Sequence, residues 1–218
     1  MSKQNKIIIA IAAGLIAIGL ILMARDKTPQ DNNGATVRPI DAADHVFGNP
    51  SAPIKMIVYS DFQCPFCSEF ADTMKKIEAY FTDKVVVTFR HYPLPGHPQA
   101  EKAAEASECA AEQGKFWEMH DKLFADNVAD NMSVEKFKQD AAELGLDTNK
   151  FNQCLDSGQY AAKVAEQKAE GGRAGVTGTP TSFLSGNVYP GAYPFEDFKN
   201  TSGQMEKGMK NIISELLQ

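Results

Sequence analysis

The chain is sparing with several residue types, and each shortage removes a class of function. Basic residues are outnumbered: 22 Lys and Arg stand against 28 Asp and Glu, a formal charge of −6. Removing Lys3 and Lys6, which precede the first acid at Asp26, leaves −8 for the rest. An acidic balance of that size argues against a nucleic-acid surface. Histidine is scarce, and His45, His91, His97 and His120 fall in no metal-ligand or triad spacing. No internal repeat of the kind that builds solenoids is visible, and no low-complexity tract dominates. Cysteine occurs four times, at Cys64, Cys67, Cys109 and Cys154. Zinc would need the last two, which stand far apart and form no C-x-x-C pair, so no metal is expected.

One long apolar run breaks this economy. Residues 7–24 carry no charge or strongly polar side chain, and at about 1.5 Å per residue such a helix just spans a hydrocarbon core of roughly 30 Å. A cleaved signal peptide is the rival reading. However, the exit Leu22-Met23-Ala24-Arg25 lacks the small residue that an A-x-A site needs, and no cysteine follows for lipid attachment. Lys3 and Lys6 bias the amino terminus inward. Residues 1–24 are therefore read as a signal anchor, or else a signal peptide. The expected location is the cell membrane, single-pass, with the remainder extracytoplasmic; secretion or a periplasmic location after cleavage is the alternative. Residues 25–44 are polar, hold Pro29, Asn32, Asn33 and Gly34, and read as a tether.

Export into an oxidising compartment favours disulfides. Four cysteines permit three pairings, of which Cys64–Cys67 with Cys109–Cys154 is simplest by loop geometry. The Cys64-Pro65-Phe66-Cys67 motif follows the strand-like run 54–59 and opens the helical pattern Phe66, Phe70, Met74, Ile77, Phe81. A cysteine at such a junction faces the positive end of a helix dipole, which favours the thiolate that attacks disulfides. Val85 to Phe89 form a second strand, and a helical block runs over 98–172, with Ser133 placed to cap one helix. Gly171-Gly172 is read as the end of that block. The runs 181–184 and 187–189 flank Ser185-Gly186 as a hairpin, and an amphipathic helix from about Met205 closes the chain. The fold expected is α/β, with the sheet domain over 45–97 and 173–218 split by the helical insertion. The lysine- and glutamate-rich stretch 163–173 reads as a solvated helix face.

Two segments carry a family resemblance. From Gly48 through Ser60-Asp61-Phe62-Gln63-Cys64-Pro65-Phe66-Cys67, and again over Gly175 to Thr181, the chain resembles the DsbA-like thiol–disulfide oxidoreductases. The resemblance implies a thioredoxin-like fold with an inserted helical domain, and no cofactor beyond the cysteine pair. Cys64 would be the exposed nucleophile and Cys67 the buried resolving thiol. Thr179-Pro180 would be a cis bond beside them, forming with Phe66 a groove for extended substrate segments. Substrates would be reduced or unfolded exported proteins, and a quinone-linked membrane thiol oxidase would restore the disulfide. A reductase or isomerase, or a binding or chaperone module with a structural C-x-x-C, is the alternative. Two positions depart from the family pattern. Phe66 stands where DsbA has histidine, and Val58 where related proteins often carry a buried glutamate. Asp61 and Glu69 are nearby acids in other registers, and neither is assigned a role.

Overall fold

A computed structural model of the chain describes residues 37–218. Among them, no helix is long and apolar enough to cross a membrane; the expected membrane segment 7–24 lies outside the described residues. The centre of the fold is a β-α-β unit. Strand β2 (Ile54–Ser60) is buried except at Lys55, and β3 (Val85–His91) is buried throughout. Near-continuous apolar content suits strands covered on both faces, and the two pair in parallel. Helix α1 (Pro65–Tyr80) connects them, with Phe70, Met74 and Ile77 turned into the core. Strand β4 (Thr181–Leu184) runs antiparallel to β2 on its other side, and β5 (Asn187–Pro190) extends the sheet. Ser185 and Gly186, both at positive φ, make the two-residue turn between them.

The sheet holds one more strand than the sequence pattern suggests. Strand β1 (His45–Gly48) pairs antiparallel with β3, giving the order β1-β3-β2-β4-β5. Four residues are too few to show a period, which is why no strand is expected over His45 to Gly48. Between β3 and β4 lie five helices: α2 (Ala100–Ala111), α3 (Phe116–Val128), α4 (Val134–Glu143), α5 (Thr148–Ser157) and α6 (Ala161–Arg173). Ser133 caps α4 by accepting from the Lys136 amide, and Asp147 caps α5. Cys109 and Cys154 form a disulfide that ties α2 to α5.

Three local expectations are corrected. Gly171 lies inside α6 rather than ending it. A Cβ there would meet the Tyr59 ring at 2.8 Å and the Tyr92 ring at 2.9 Å, so the glycine serves close packing of helix on sheet. The closing helix, α7 (Met209–Leu216), starts later than expected because β6 (Phe198–Lys199) and β7 (Met205–Glu206) pair as a small second sheet. Finally, the end of the polar tether is docked. Val37 and Ile40 pack on the cluster around Tyr59 and Phe183. Arg38 and Asp44 join a network with Arg90 and Glu170: Arg90 donates to both Asp44 oxygens (2.9 and 2.8 Å) and to Glu170 (2.6 Å). Arg38 bridges Glu170 and Asp44 from outside, at 3.1 Å to each.

Candidate active site

The chain leaves β2 at Ser60 and enters α1 four residues later, with Cys64 as the N-cap residue in extended conformation and Pro65 in the first turn. Proline lacks the N–H that a first turn leaves unpaired, so the motif starts a helix at no cost in hydrogen bonding. The first turn holds no acidic residue to oppose a thiolate. The amides of Cys67 and Ser68 both donate to the Cys64 carbonyl, closing the turn on which the two sulfurs sit.

Both thiols are free, and both residues are buried: Cys64 is 4% exposed and Cys67 1%. The expected exposed nucleophile is thus recessed, because Thr179 covers it. The Thr179-Pro180 bond is cis, and the Thr179 carbonyl accepts from the Cys64 thiol at 3.4 Å. Phe66 projects between the two cysteines and is 59% exposed, the motif's one large side chain turned to solvent. Phe62 is core instead. It stacks on Phe89 at 4.9 Å and lies against Phe124 and His120, a floor of rings beneath the motif. That floor belongs to the apolar cluster that also contains the Cys109–Cys154 disulfide.

The two thiols are pushed in opposite directions. Cys64 is lowered from 9.0 to about 6, first by the hydrogen bond from the Cys67 thiol and then by the helix-terminal amides of Cys67 and Phe66. Cys67 is raised well above 9.0, chiefly by burial and then by its place beside the Cys64 sulfur. One sulfur is therefore a stable thiolate, able to attack a disulfide or to leave from one, and its neighbour is a proton-holding thiol. The position six residues before Cys64 is filled by Val58, fully buried among the apolar side chains that α1 covers.

Groups outside the cysteine motif frame Cys67. Asp61, considered and left without a role, is buried at the turn after β2, and its amide donates to the Cys67 sulfur at 3.5 Å. His97, one of the scattered histidines, meets the Asp61 carboxylate at 2.6 Å. A short polar side chain three residues before a helix-opening cysteine is the available signal, since aspartate there can bind the amides of its own turn. The other histidines are elsewhere: His45 and His91 both bond Glu108, and His120 lies in the ring cluster. Among the described residues, no group of three or more His, Cys, Asp or Glu could hold a metal ion.

The thioredoxin family model matches residues 41–201, which covers the cysteine motif, the helical block and the cis-proline loop. The chain belongs to the thioredoxin family. Within it, the structural likeness is to DsbA-like thiol–disulfide oxidoreductases. The thioredoxin fold of α-DsbA1 from Wolbachia pipientis is 25% identical and aligns with a TM-score of 0.62, over 82% of this chain and 92% of that one. BdbD from Bacillus subtilis, 22% identical, shares the fold with a TM-score of 0.68 over 85% of this chain and 99% of its own. A protein from Mycolicibacterium gilvum named Na(+)/H(+) antiporter NhaA 1 is 34% identical over 202 residues, 88% of this chain. The chain spans only about a quarter to a third of the length of such curated relatives, 32% in that case.

Proposed function

We propose that this chain is a DsbA-like thiol–disulfide oxidoreductase that introduces disulfides into exported proteins. The observation that carries the reading is the opposed displacement of the two thiols, Cys64 down to about 6 and Cys67 up, at the start of one helix. A substrate thiolate attacks the Cys64 sulfur of the oxidised pair. The Cys64–Cys67 bond breaks and Cys67 leaves with the electron pair, then takes up a proton. A second substrate thiolate attacks the substrate sulfur of the mixed disulfide and expels Cys64 as thiolate. The substrate has lost two electrons and the cysteine pair has gained them. Whatever steadies the Cys64 thiolate steadies the reduced enzyme, so each unit by which its pKa lies below ambient pH adds about 30 mV of oxidising power.

The Cys109–Cys154 disulfide supports an oxidising, extracytoplasmic setting. Residues 7–24 supply the membrane anchor in this reading, and a quinone-linked thiol oxidase in the same membrane reoxidises the pair. Phe66 and the Thr179 backbone receive an extended, unfolded segment. Ion antiport is not carried over, because the match to the antiporters leaves about two thirds or more of their length uncovered.

Two measurements test this. Cys67→Ala, with Cys64 first loaded as a mixed disulfide with glutathione, should exchange glutathione for reduced substrate protein and hold it as a trapped mixed disulfide, and Cys64→Ser should abolish both trapping and oxidation. Equilibration of the pair with glutathione should give a potential nearer the oxidising end at about −120 mV than the reducing end at about −270 mV. Oxidation that survives Cys64→Ser would overturn the reading. A strongly reducing potential would turn it toward a reductase.

A further inference from the structure

Resting on that reading of the site, we infer that Asp61 is a positioning residue for Cys67, holding its own backbone amide against the sulfur that must leave and attack. Cys67 is buried and holds its proton, yet in each exchange it must carry negative charge, and a poor leaving thiolate slows exchange. The position from which a buried acid could assist is occupied by Val58.

What the fold offers is the Asp61 N–H, 3.5 Å from the Cys67 sulfur. That amide is fixed by its own side chain. The carboxylate has no exposed surface and is gripped from three directions. Gln63 donates its amide to one oxygen at 2.7 Å, and Leu94 donates its amide to the other at 2.8 Å. The His97 ring nitrogen meets that second oxygen at 2.6 Å, from a side chain a quarter exposed at the surface. Gln63 adds a parallel tie by accepting from the Gln99 amide at 2.7 Å. The turn that carries the Cys64 amide and the Asp61 amide is thereby clamped to the loop leading into α2. The Cys64 amide itself donates to the Asp61 carbonyl at 3.1 Å, so the same residue braces both cysteines. A buried carboxylate with three donors is costly to disturb, which makes the clamp stiff. Stiffness matters because a preorganised donor stabilises charge on Cys67 without rearranging during the step.

The test uses the full oxidised protein. Reduction by dithiothreitol is followed by stopped flow, and Cys67 is titrated by thiolate absorbance in a Cys64→Ser background. Asp61→Asn can satisfy only part of the clamp, so reduction should slow about tenfold (about 1.4 kcal/mol) and the Cys67 titration should move further up. His97→Ala removes only the surface donor and should slow reduction about twofold. Wild-type rates and an unmoved Cys67 titration in Asp61→Asn would overturn the inference. If Asp61→Asn does not fold, an unchanged rate in His97→Ala overturns it instead. Failure of the functional reading looks different: wild type itself would then leave dithiol substrates unoxidised.

Discussion

The clearest quantitative consequence of the site is a pH window for the stability of the reduced protein. Cys64 titrates near 9.0 when unperturbed and at about 6 in the fold. A depressed acid contributes stability that is complete above the unfolded value and is lost as pH falls through the folded one. The contribution therefore grows from pH 6 to pH 9. Linkage gives about 0.1 kcal/mol at pH 5, about 1.4 at pH 7 and about 2.7 at pH 8. Cys67 is displaced upward, so its effect begins only above pH 9 and leaves this window untouched. The assay is urea unfolding of the reduced protein at several pH values beside reduced Cys64→Ser. Subtracting the variant cancels Glu108, Asp126 and the histidines, which titrate in both proteins. The difference should widen by about 1.4 kcal/mol between pH 5 and 7, and by nearly as much again to pH 8. Thiolate absorbance should show its midpoint near 6, and Cys67→Ala should move it upward because the strongest donor is gone. A difference that stays flat from pH 5 to 8 would refute the thiolate argument.

Other perturbations probe the scaffold. Glu108 is buried between His45 (2.8 Å), His91 (2.9 Å) and Lys163 (2.7 Å), which hold its carboxyl well below the usual range. Glu108→Ala should cost about 3–5 kcal/mol in a denaturant melt, since it strands buried partners. Replacing Cys109 and Cys154 together by alanine reopens a loop with a sequence separation of 45 and should cost about 4 kcal/mol in the chain-entropy account. Gly171→Ala should destabilise by about 1–3 kcal/mol, because Tyr59 and Tyr92 must give way to the new methyl. Asp126, raised from 3.8 to about 6 by burial and by Asp140 beside it, opposes folding increasingly as pH rises between those values and in full above them. Asp126→Asn should therefore stabilise the protein by about 1 kcal/mol at pH 7.5 and lose that advantage by pH 4, measured by thermal melts at both.

What could be read in advance was whatever repeats locally. Phe70, Met74 and Ile77 announce α1 because helix packing writes a period into consecutive residues, although Phe66 in the same spacing faces solvent, and the helix observed is Pro65–Tyr80. The strands expected at 54–59 and 85–89, observed at 54–60 and 85–91, were legible as local apolar runs, and the Ser185-Gly186 turn by its own turn chemistry. Polar partnerships across the fold leave no such trace. Glu170 and Lys163 look like residues of a solvated helix face. Yet Glu170 receives Arg90, Tyr59 and Arg38, and Lys163 reaches buried Glu108. Arg90 itself, without exposed surface in a strand of valines, has no local hint of Asp44, which lies 46 positions away. The site divides the same way. The cysteine pair and the helix start are local, while Asp61 acquires its meaning from Leu94 and His97, more than 30 positions on.

The same division explains how the motif works with the two departures it carries. Phe66 contributes no imidazole and Val58 no carboxylate, so no formal charge acts on either sulfur from those positions. The causes that separate the thiols lie within the pair and its turn: the neighbouring thiol, amides of a first helical turn, burial, and the charge of the Cys64 thiolate, which pushes Cys67 up. The amide dipoles among them are fixed by backbone geometry, and the burial of both cysteines keeps salt from screening them as fully as it screens surface charges. Cys64 gains its acidity from being the residue at which β2 gives way to α1, and Cys67 loses its own by sitting one turn deeper against Phe62 and Ala71. The oxidising tendency proposed for the pair thus follows from where a strand stops and a helix starts. An imidazole at position 66 or a carboxylate at position 58 would adjust that tendency without creating it.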